Sequence, residues 1–224
     1  MREIVFDTET TGMQPKDGHR LVELGAIEII GRRPTGRTFH KYINPQRDIP
    51  SDATRVHGIT NDKVRSCPTF GQIAKEFLEF IGDDPLVAHN ASFDMTFLNY
   101  ELEANGFSIL PNPVIDTLQI AREKFPGAQA SLDALCRRFN VDLSNRTLHG
   151  ALLDAGLLVE VYVELTGGLQ PGLGLVGDEG EELIRHNVRA TTAREPRHFP
   201  ASPEELERHA AFIAKIKNAV WLKE

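Results

Sequence analysis

Three β-rich runs precede the first strong helix signal, and that order constrains the fold of this chain more than any other feature. Ile4-Val5-Phe6 is a short apolar run that ends in acids. Leu24 to Ile30 and Thr38 to Ile43 follow, and the Gly31-Arg32-Arg33-Pro34-Thr35-Gly36 stretch between them reads as the loop of a hairpin. Helix and strand signals then alternate. Thr69 caps a helix whose apolar positions Ile73, Phe77 and Phe80/Ile81 follow the helical period. Leu86-Val87-Ala88 reads as a short buried strand. Ser92 is expected to cap the next helix, with Phe93, Phe97 and Leu98 facing inward and Gly106 as its stop. Val114-Ile115 is another strand. Ser131 caps a helix carrying Leu132, Leu135, Cys136 and Phe139, and a last helix runs from about Gly150 to Leu165. The order predicts an α/β fold, with a mixed sheet of about five strands and helices packed on it.

Glycine divides the chain. Residues 167 to 180 hold Gly167, Gly168, Gly172, Gly174, Gly177 and Gly180, and so dense a cluster reads as a flexible linker. The expected organisation is a domain over 1–168, a Gly/Pro-containing linker over 169–201 and a C-terminal helical segment over 202–224. A 168-residue unit can bury a core without staples. Most of the net charge of −7 lies in it, with 23 acidic against 17 basic residues. That balance excludes a protein that coats DNA through a basic face. No apolar window is long enough for a membrane span. The start, Met1-Arg2-Glu3, meets an acid too early for a signal peptide. The two cysteines, Cys67 and Cys136, suit a reduced cytoplasm and make no zinc site.

Chemistry concentrates in three acidic places. In Phe6-Asp7-Thr8-Glu9-Thr10-Thr11-Gly12, residues two apart on a strand share a face, so Asp7 and Glu9 stand side by side. Such like charges repel unless a cation lies between them; Mg²⁺ or Mn²⁺ would serve, and a solvated acidic turn is the plainer reading. In His89-Asn90-Ala91-Ser92-Phe93-Asp94, Asp94 falls in the first turn of a helix, where the dipole alone favours an acid. In His149-Gly150-Ala151-Leu152-Leu153-Asp154, positions five apart on a helix diverge by about 140°. His149 and Asp154 converge only if His149 sits in the preceding loop and Asp154 points inward. Asp154 lies among Leu153, Leu157 and Leu158, and a carboxylate near such a stripe needs a partner. Four acids and one histidine form the inventory of two-metal phosphodiester hydrolysis, with a neutral histidine suited to act as general base.

In order and spacing, these three motifs resemble those of the DEDDh 3′–5′ exonuclease family, and within it the epsilon-type proofreading subunits of bacterial DNA polymerase III. Val56-His57-Gly58-Ile59, Phe125-Pro126-Gly127, Ser131-Leu132-Asp133-Ala134-Leu135-Cys136 and Arg146-Thr147-Leu148-His149 support the likeness, which spans residues 2–168. The resemblance implies a ribonuclease-H-like fold with helices on both faces of the sheet. It implies that Asp7, Glu9, Asp94 and Asp154 bind two divalent ions, Mg²⁺ or Mn²⁺, and that His149 is the base. It places Thr8, Met13, Val56, His57 and Asn90 near the terminal nucleotide, with His89 behind them and Asp116 as a structural residue. The implied substrate is a single-stranded or frayed DNA 3′ end, in the bacterial cytoplasm.

The tail starts a second helix: Ser202-Pro203-Glu204-Glu205 carries an N-cap serine, a proline at the first helical position and an acid at the third. Leu206, Ala210, Ile213, Ile216 and Val220 continue as an apolar stripe, with Trp221 after it. An isolated helix of this length is marginal in water, so the stripe needs a partner. The bland partner is its own domain; the resemblance implies the polymerase α subunit, alongside a small theta-like subunit. Gln170, Leu173 and Leu175 fit a Gln-x-x-Leu-x-Leu pattern where the family carries a sliding-clamp contact, although aromatic anchors are missing. The competing readings are a stand-alone exonuclease acting on RNA or short oligonucleotides, and a non-catalytic polymerase-stabilising subunit.

Overall fold

The fold grows from the alternation in its first strand. In the computed structural model, which describes residues 1–144, 146, 148–168 and 200–216, β1 (Arg2–Thr10) is the middle strand of a five-stranded sheet ordered β3-β2-β1-β4-β5. β2 (Leu21–Ile30) pairs antiparallel with β1, and β3 (Arg33–Tyr42) antiparallel with β2. β4 (Leu86–Ala88) and β5 (Val114–Asp116) add on the other side as parallel strands. The expected hairpin and mixed sheet are both present.

Alternate residues of β1 serve two cores. Ile4 and Phe6 are fully buried against α3 (Phe70–Ile81) and α4 (Ala91–Ala104), through Phe70, Ile73, Phe77 and Phe97. Val5 faces the other way, into a cluster with Val87 and the helices α5 (Thr117–Lys124), α6 (Leu132–Phe139) and α7 (Ala151–Leu165). Helices thus cover both faces, as a sheet with parallel crossovers requires. Thr69 and Gln72 form a capping box on α3, and Ser131 caps α6 by accepting the Ala134 N–H.

Three short helices carry no strong periodic signal and were not anticipated: α1 (Ser51–His57), α2 (Asn61–Val64) and α5. Ser92 does not cap α4. The cap is Asn90, whose backbone takes the left-handed conformation at φ 66°, and Ser92 lies inside the helix, its carbonyl accepting the Thr96 hydroxyl. The tight exit from β4 starts the helix two residues earlier than the serine.

A second unit begins at Leu173, and its described part is α8 (Pro203–Ile213), with the Ser202–Glu205 capping box in place. The helix is shorter than the expected stripe. Lys215 and Ile216 donate to carbonyls three residues back, so the backbone tightens and ends the α-helix, leaving Ile216 in a turn. Leu206 is exposed and Ile213 buried. Gln170, Leu173, Leu175, Val220 and Trp221 lie outside the described residues. No helix among the described residues is long and apolar enough to cross a membrane.

Gly25 on β2 is where α7 meets the sheet. A Cβ there would stand 2.5 Å from Ala151 C and Leu152 Cα, backbone atoms that cannot rotate aside. Gly25→Ala should therefore destabilise the protein by at least ~2 kcal/mol, read as a lower thermal midpoint. An unchanged midpoint would mean that α7 is free to lift off the strand.

Candidate active site

The site forms where β1 ends and two helices begin. Alternation carries Val5, Asp7 and Glu9 on the α7 side of the sheet. Across the β1–β2 ladder, Asp7 faces Gly25 and Glu9 faces Glu23. The missing side chain at Gly25 lets the first turn of α7 close against β2, which brings in Asp154, 3% exposed. Glu23, also 3% exposed, accepts the Ala151 N–H at 3.1 Å, one of the donors that a helix start leaves without a partner. Its other oxygen lies 2.6 Å from His40 Nε2. Glu23 thereby pins the start of α7 to the sheet.

Asp94 arrives from the opposite face. Asp116 accepts the N–H of left-handed Asn90 at 3.0 Å and that of Leu118 at 2.9 Å, so one carboxylate organises the starts of α4 and α5. The Thr8 hydroxyl, on the α4 side of β1, donates to Asp94 Oδ1 at 2.6 Å. His149 lies in the loop before α7, with its N–H on the Val56 carbonyl at 3.1 Å. Its Nδ1 is 3.1 Å from Asp154 Oδ2. That is the arrangement in which residues five apart on the chain can meet. Glu9, His149 and Asp154 each bring a ligand atom into one group no more than 4.8 Å across.

The electrostatics of this cluster are unfavourable without a cation. Burial, then the charges of Asp94 and Glu9, raise the Asp7 pKa well above its ordinary value. Burial and then Asp154 and Glu23 push Glu9 up to about 8, with Arg146 opposing. Burial lifts Asp94 to about 7 against the hydrogen bond from Thr8. The donors are carboxylate oxygens plus one imidazole, a set that suits hard divalent cations. Buried acids that resist ionisation alone are what such ions would relieve, so the residues fit the expected metal site.

The other anticipated residues divide into three groups. Met13 and Asn90 line a cavity of about 410 Å³ together with Lys16, Phe93 and Thr96. Val56 is exposed beside His149, while His57 is buried, with Nδ1 accepting the Ile59 N–H at 3.0 Å. The His57 Nε2 atom has no hydrogen-bond partner among the described residues. Thr8 is buried with its hydroxyl committed to Asp94, so its side chain serves that carboxylate rather than the cavity. His89 sits behind Asn90, its Nδ1 2.9 Å from the Thr117 hydroxyl.

Two contributors escaped the sequence reading. Glu23 is an acid inside the apolar run Leu21-Val22-Glu23-Leu24, and that interruption is a signal of a partnered buried charge. Arg146 lies in the run that carries the resemblance, yet nothing in its spacing reveals that it forks onto Asp154.

Comparison with known proteins agrees with this geometry. Residues 4–162 match the family described as Exonuclease. The DNA polymerase III subunit epsilon of Rickettsia felis is 49% identical over 96% of this chain and 97% of its own. That of Escherichia coli K12 is 42% identical over 96% and 93%. Among solved structures, Exonuclease X in complex with 5′ overhanging duplex DNA superposes with a TM-score of 0.58 at 27% identity, over 74% of this chain and 90% of that one. The nuclease domain of 3′hExo, a DEDDh family member bound to rAMP, shares the fold with a TM-score of 0.65 at 20% identity, over 74% and 91%. The chain thus belongs to the exonuclease family, among the epsilon subunits of DNA polymerase III.

Proposed function

We propose that this chain hydrolyses the 3′-terminal phosphodiester of single-stranded or frayed DNA, releasing nucleoside 5′-monophosphates and proofreading for the bacterial replicative polymerase in the cytoplasm. The observation that supports it best is the convergence of Asp7, Glu9, Asp94 and Asp154 with His149.

Asp7, Glu9, Asp94 and Asp154 would hold two divalent ions, Mg²⁺ or Mn²⁺, which when bound supply positive charge at the scissile phosphate. The chain's own groups orient the reactants and move the proton. With Nδ1–H turned to Asp154, His149 keeps a lone pair on Nε2. That nitrogen takes the proton of the attacking water. The water oxygen bonds to phosphorus as the bond to the upstream 3′ oxygen breaks, and that oxygen takes a proton from solvent to become the new 3′ hydroxyl, while His149 later releases its own to solvent. Met13 and Asn90, which line the cavity, hold the terminal nucleotide, and His57 is the proposed further donor because its buried Nε2 has no partner among the described residues. Mismatched ends enter more readily because they unpair at lower cost. In the tail, the exposed Leu206 and Phe212 of α8 support docking on the polymerase α subunit, with Gln170, Leu173 and Leu175 as a sliding-clamp contact.

His149→Ala should lower kcat on a DNA oligonucleotide by roughly 10²–10⁴ while Mn²⁺ still raises the melting temperature. An undiminished rate would require another base, and a lost Mn²⁺ effect would make His149 a ligand. A wild-type preference for the matched RNA oligonucleotide would move the substrate to RNA.

Stability should depend on pH in a defined direction. Glu9 titrates near 8 in the folded protein against an ordinary 4.5, and Asp94 near 7 against 3.8, so the folded state binds the extra protons. Their stabilising contribution is complete at low pH and is lost as pH rises through the folded values. Burial lowers the pKa of His57 and His89, which act in the opposite sense, but only below about 6.5. In chelator, the melting temperature should thus fall between about pH 6.5 and 8, and Glu9→Gln should flatten the decline. Mn²⁺ at 100 times its Kd should restore ~5–10 °C. A flat profile in chelator would count against a strained cluster.

Deleting residues 201–224 should leave turnover of short single strands intact and abolish co-purification with the polymerase. Survival of that complex would remove the tail from the interface.

A further inference from the structure

Arg146 is the one cation that reaches into the carboxylate cluster among the described residues. Its side chain is 8% exposed. Nε lies 2.6 Å from Asp154 Oδ1 and Nη2 lies 2.7 Å from Asp154 Oδ2, a two-bond fork on one carboxylate. Nη1 donates to Asp133, in the first turn of α6. Nη2 also stands 2.9 Å from His149 Nδ1. One side chain therefore ties α6 to α7 and touches both chemical groups of the third motif.

The geometry restricts what this contact can do. Two parallel bonds set the plane of a carboxylate as well as its position. Each carboxylate oxygen has two lone pairs, so one bond from Arg146 leaves each Asp154 oxygen able to accept again. His149 Nδ1 has a donor, Arg146, at 2.9 Å and an acceptor, Asp154, at 3.1 Å. In either tautomer this nitrogen is held on the Arg146–Asp154 side, and with the proton on Nδ1, facing Asp154, Nε2 keeps the lone pair that a base needs. A buried guanidinium without such bonds would be strongly destabilising, so the arrangement is stable only with its partners in place.

We propose that Arg146 is a positioning residue for the hydrolytic reaction: anchored on Asp133, it sets the orientation of the Asp154 carboxylate and of the His149 ring. This rests on the reading that Asp154 holds a metal and His149 is the base. Its effect on the reaction would act through Asp154 and His149, the two groups it contacts.

The test uses the full-length chain and the variants Arg146→Gln, Arg146→Lys, Asp133→Asn and the Gln/Asn double variant. Mn²⁺ affinity is measured by calorimetry, kcat and KM on a single-stranded DNA oligonucleotide, and folding by thermal unfolding. Arg146→Gln should weaken Mn²⁺ binding and lower kcat by ~10–100-fold each, with KM changed little. Lysine should rescue only in part, because it cannot fork. Asp133, 42% exposed, can be changed without threat to the core. Asp133→Asn should cause a smaller loss of both, and should add nothing to Arg146→Gln. Wild-type Mn²⁺ affinity and kcat in a folded Arg146→Gln protein would overturn the proposal. So would tighter Mn²⁺ binding, which would make Arg146 a competitor of the metal, or an additive effect of Asp133→Asn. Should Arg146→Gln fail to fold, unchanged Mn²⁺ affinity and kcat in Asp133→Asn overturn it. Wild-type turnover in the same assay tests the nuclease reading separately, since Mn²⁺ affinity reports on Arg146 whether or not DNA is cut.

Discussion

Asp7, Glu9, Asp94, Asp154 and Glu23 bring five carboxylates close together at the end of the central strand, and their mutual repulsion is the constraint that the surrounding structure answers. A set of buried acids holds together only if each is hydrogen-bonded, protonated or neutralised. This site uses all three means. Thr8 bonds Asp94, the Ala151 N–H and His40 hold Glu23, and Arg146 forks Asp154. Asp7 and Glu9 have no comparable partner among the described residues, and burial and their neighbours' charges raise their pKa values. The two acids that two-residue alternation places side by side are therefore the ones most in need of a cation.

The scaffold follows from the same requirement. The carboxylates come from both faces of one sheet and meet at the end of its central strand. β1 supplies its odd residues on the α7 side, while Asp94 comes from α4 on the other. Two features let the helices come close enough. Gly25 leaves room for the backbone of α7, and left-handed Asn90 turns the chain sharply from β4 into α4. Asp116 and Glu23 then fix those helix starts with carboxylates that are themselves outside the proposed metal set. Positions of the reactive groups are thus set by backbone packing and capping, which hold geometry better than long side chains in loops.

The acidic balance of the chain fits this picture. A net charge of −7 does not suit unaided binding to a long duplex. A single strand end asks for few phosphate contacts, and the ions proposed for the site would reverse the local sign. Delivery of the strand by a partner polymerase, as proposed, would complete the same account.

Much of the fold could be read from the chain alone. Binary pattern, caps and turn residues located all five strands and the helices α3, α6 and α7, because those signals are local. The chain also identified Asp7, Glu9, Asp94, Asp154 and His149 through motifs in order. It misplaced the start of α4, because the exit from β4 and the bond from Asp116 outrank a serine's capping preference. It overlooked α1, α2 and α5, which are too short for a period to register, and it ran the tail helix past Ile213. Sequence by itself determined which elements form and which acids are exceptional, since both depend on residue type and spacing. Only the tertiary structure decided that Glu23 stands opposite Glu9, that His149 reaches Asp154, and that Arg146 bridges Asp133 to Asp154. Those contacts join residues from different elements, and they arise only once packing has closed α7 onto the sheet at Gly25.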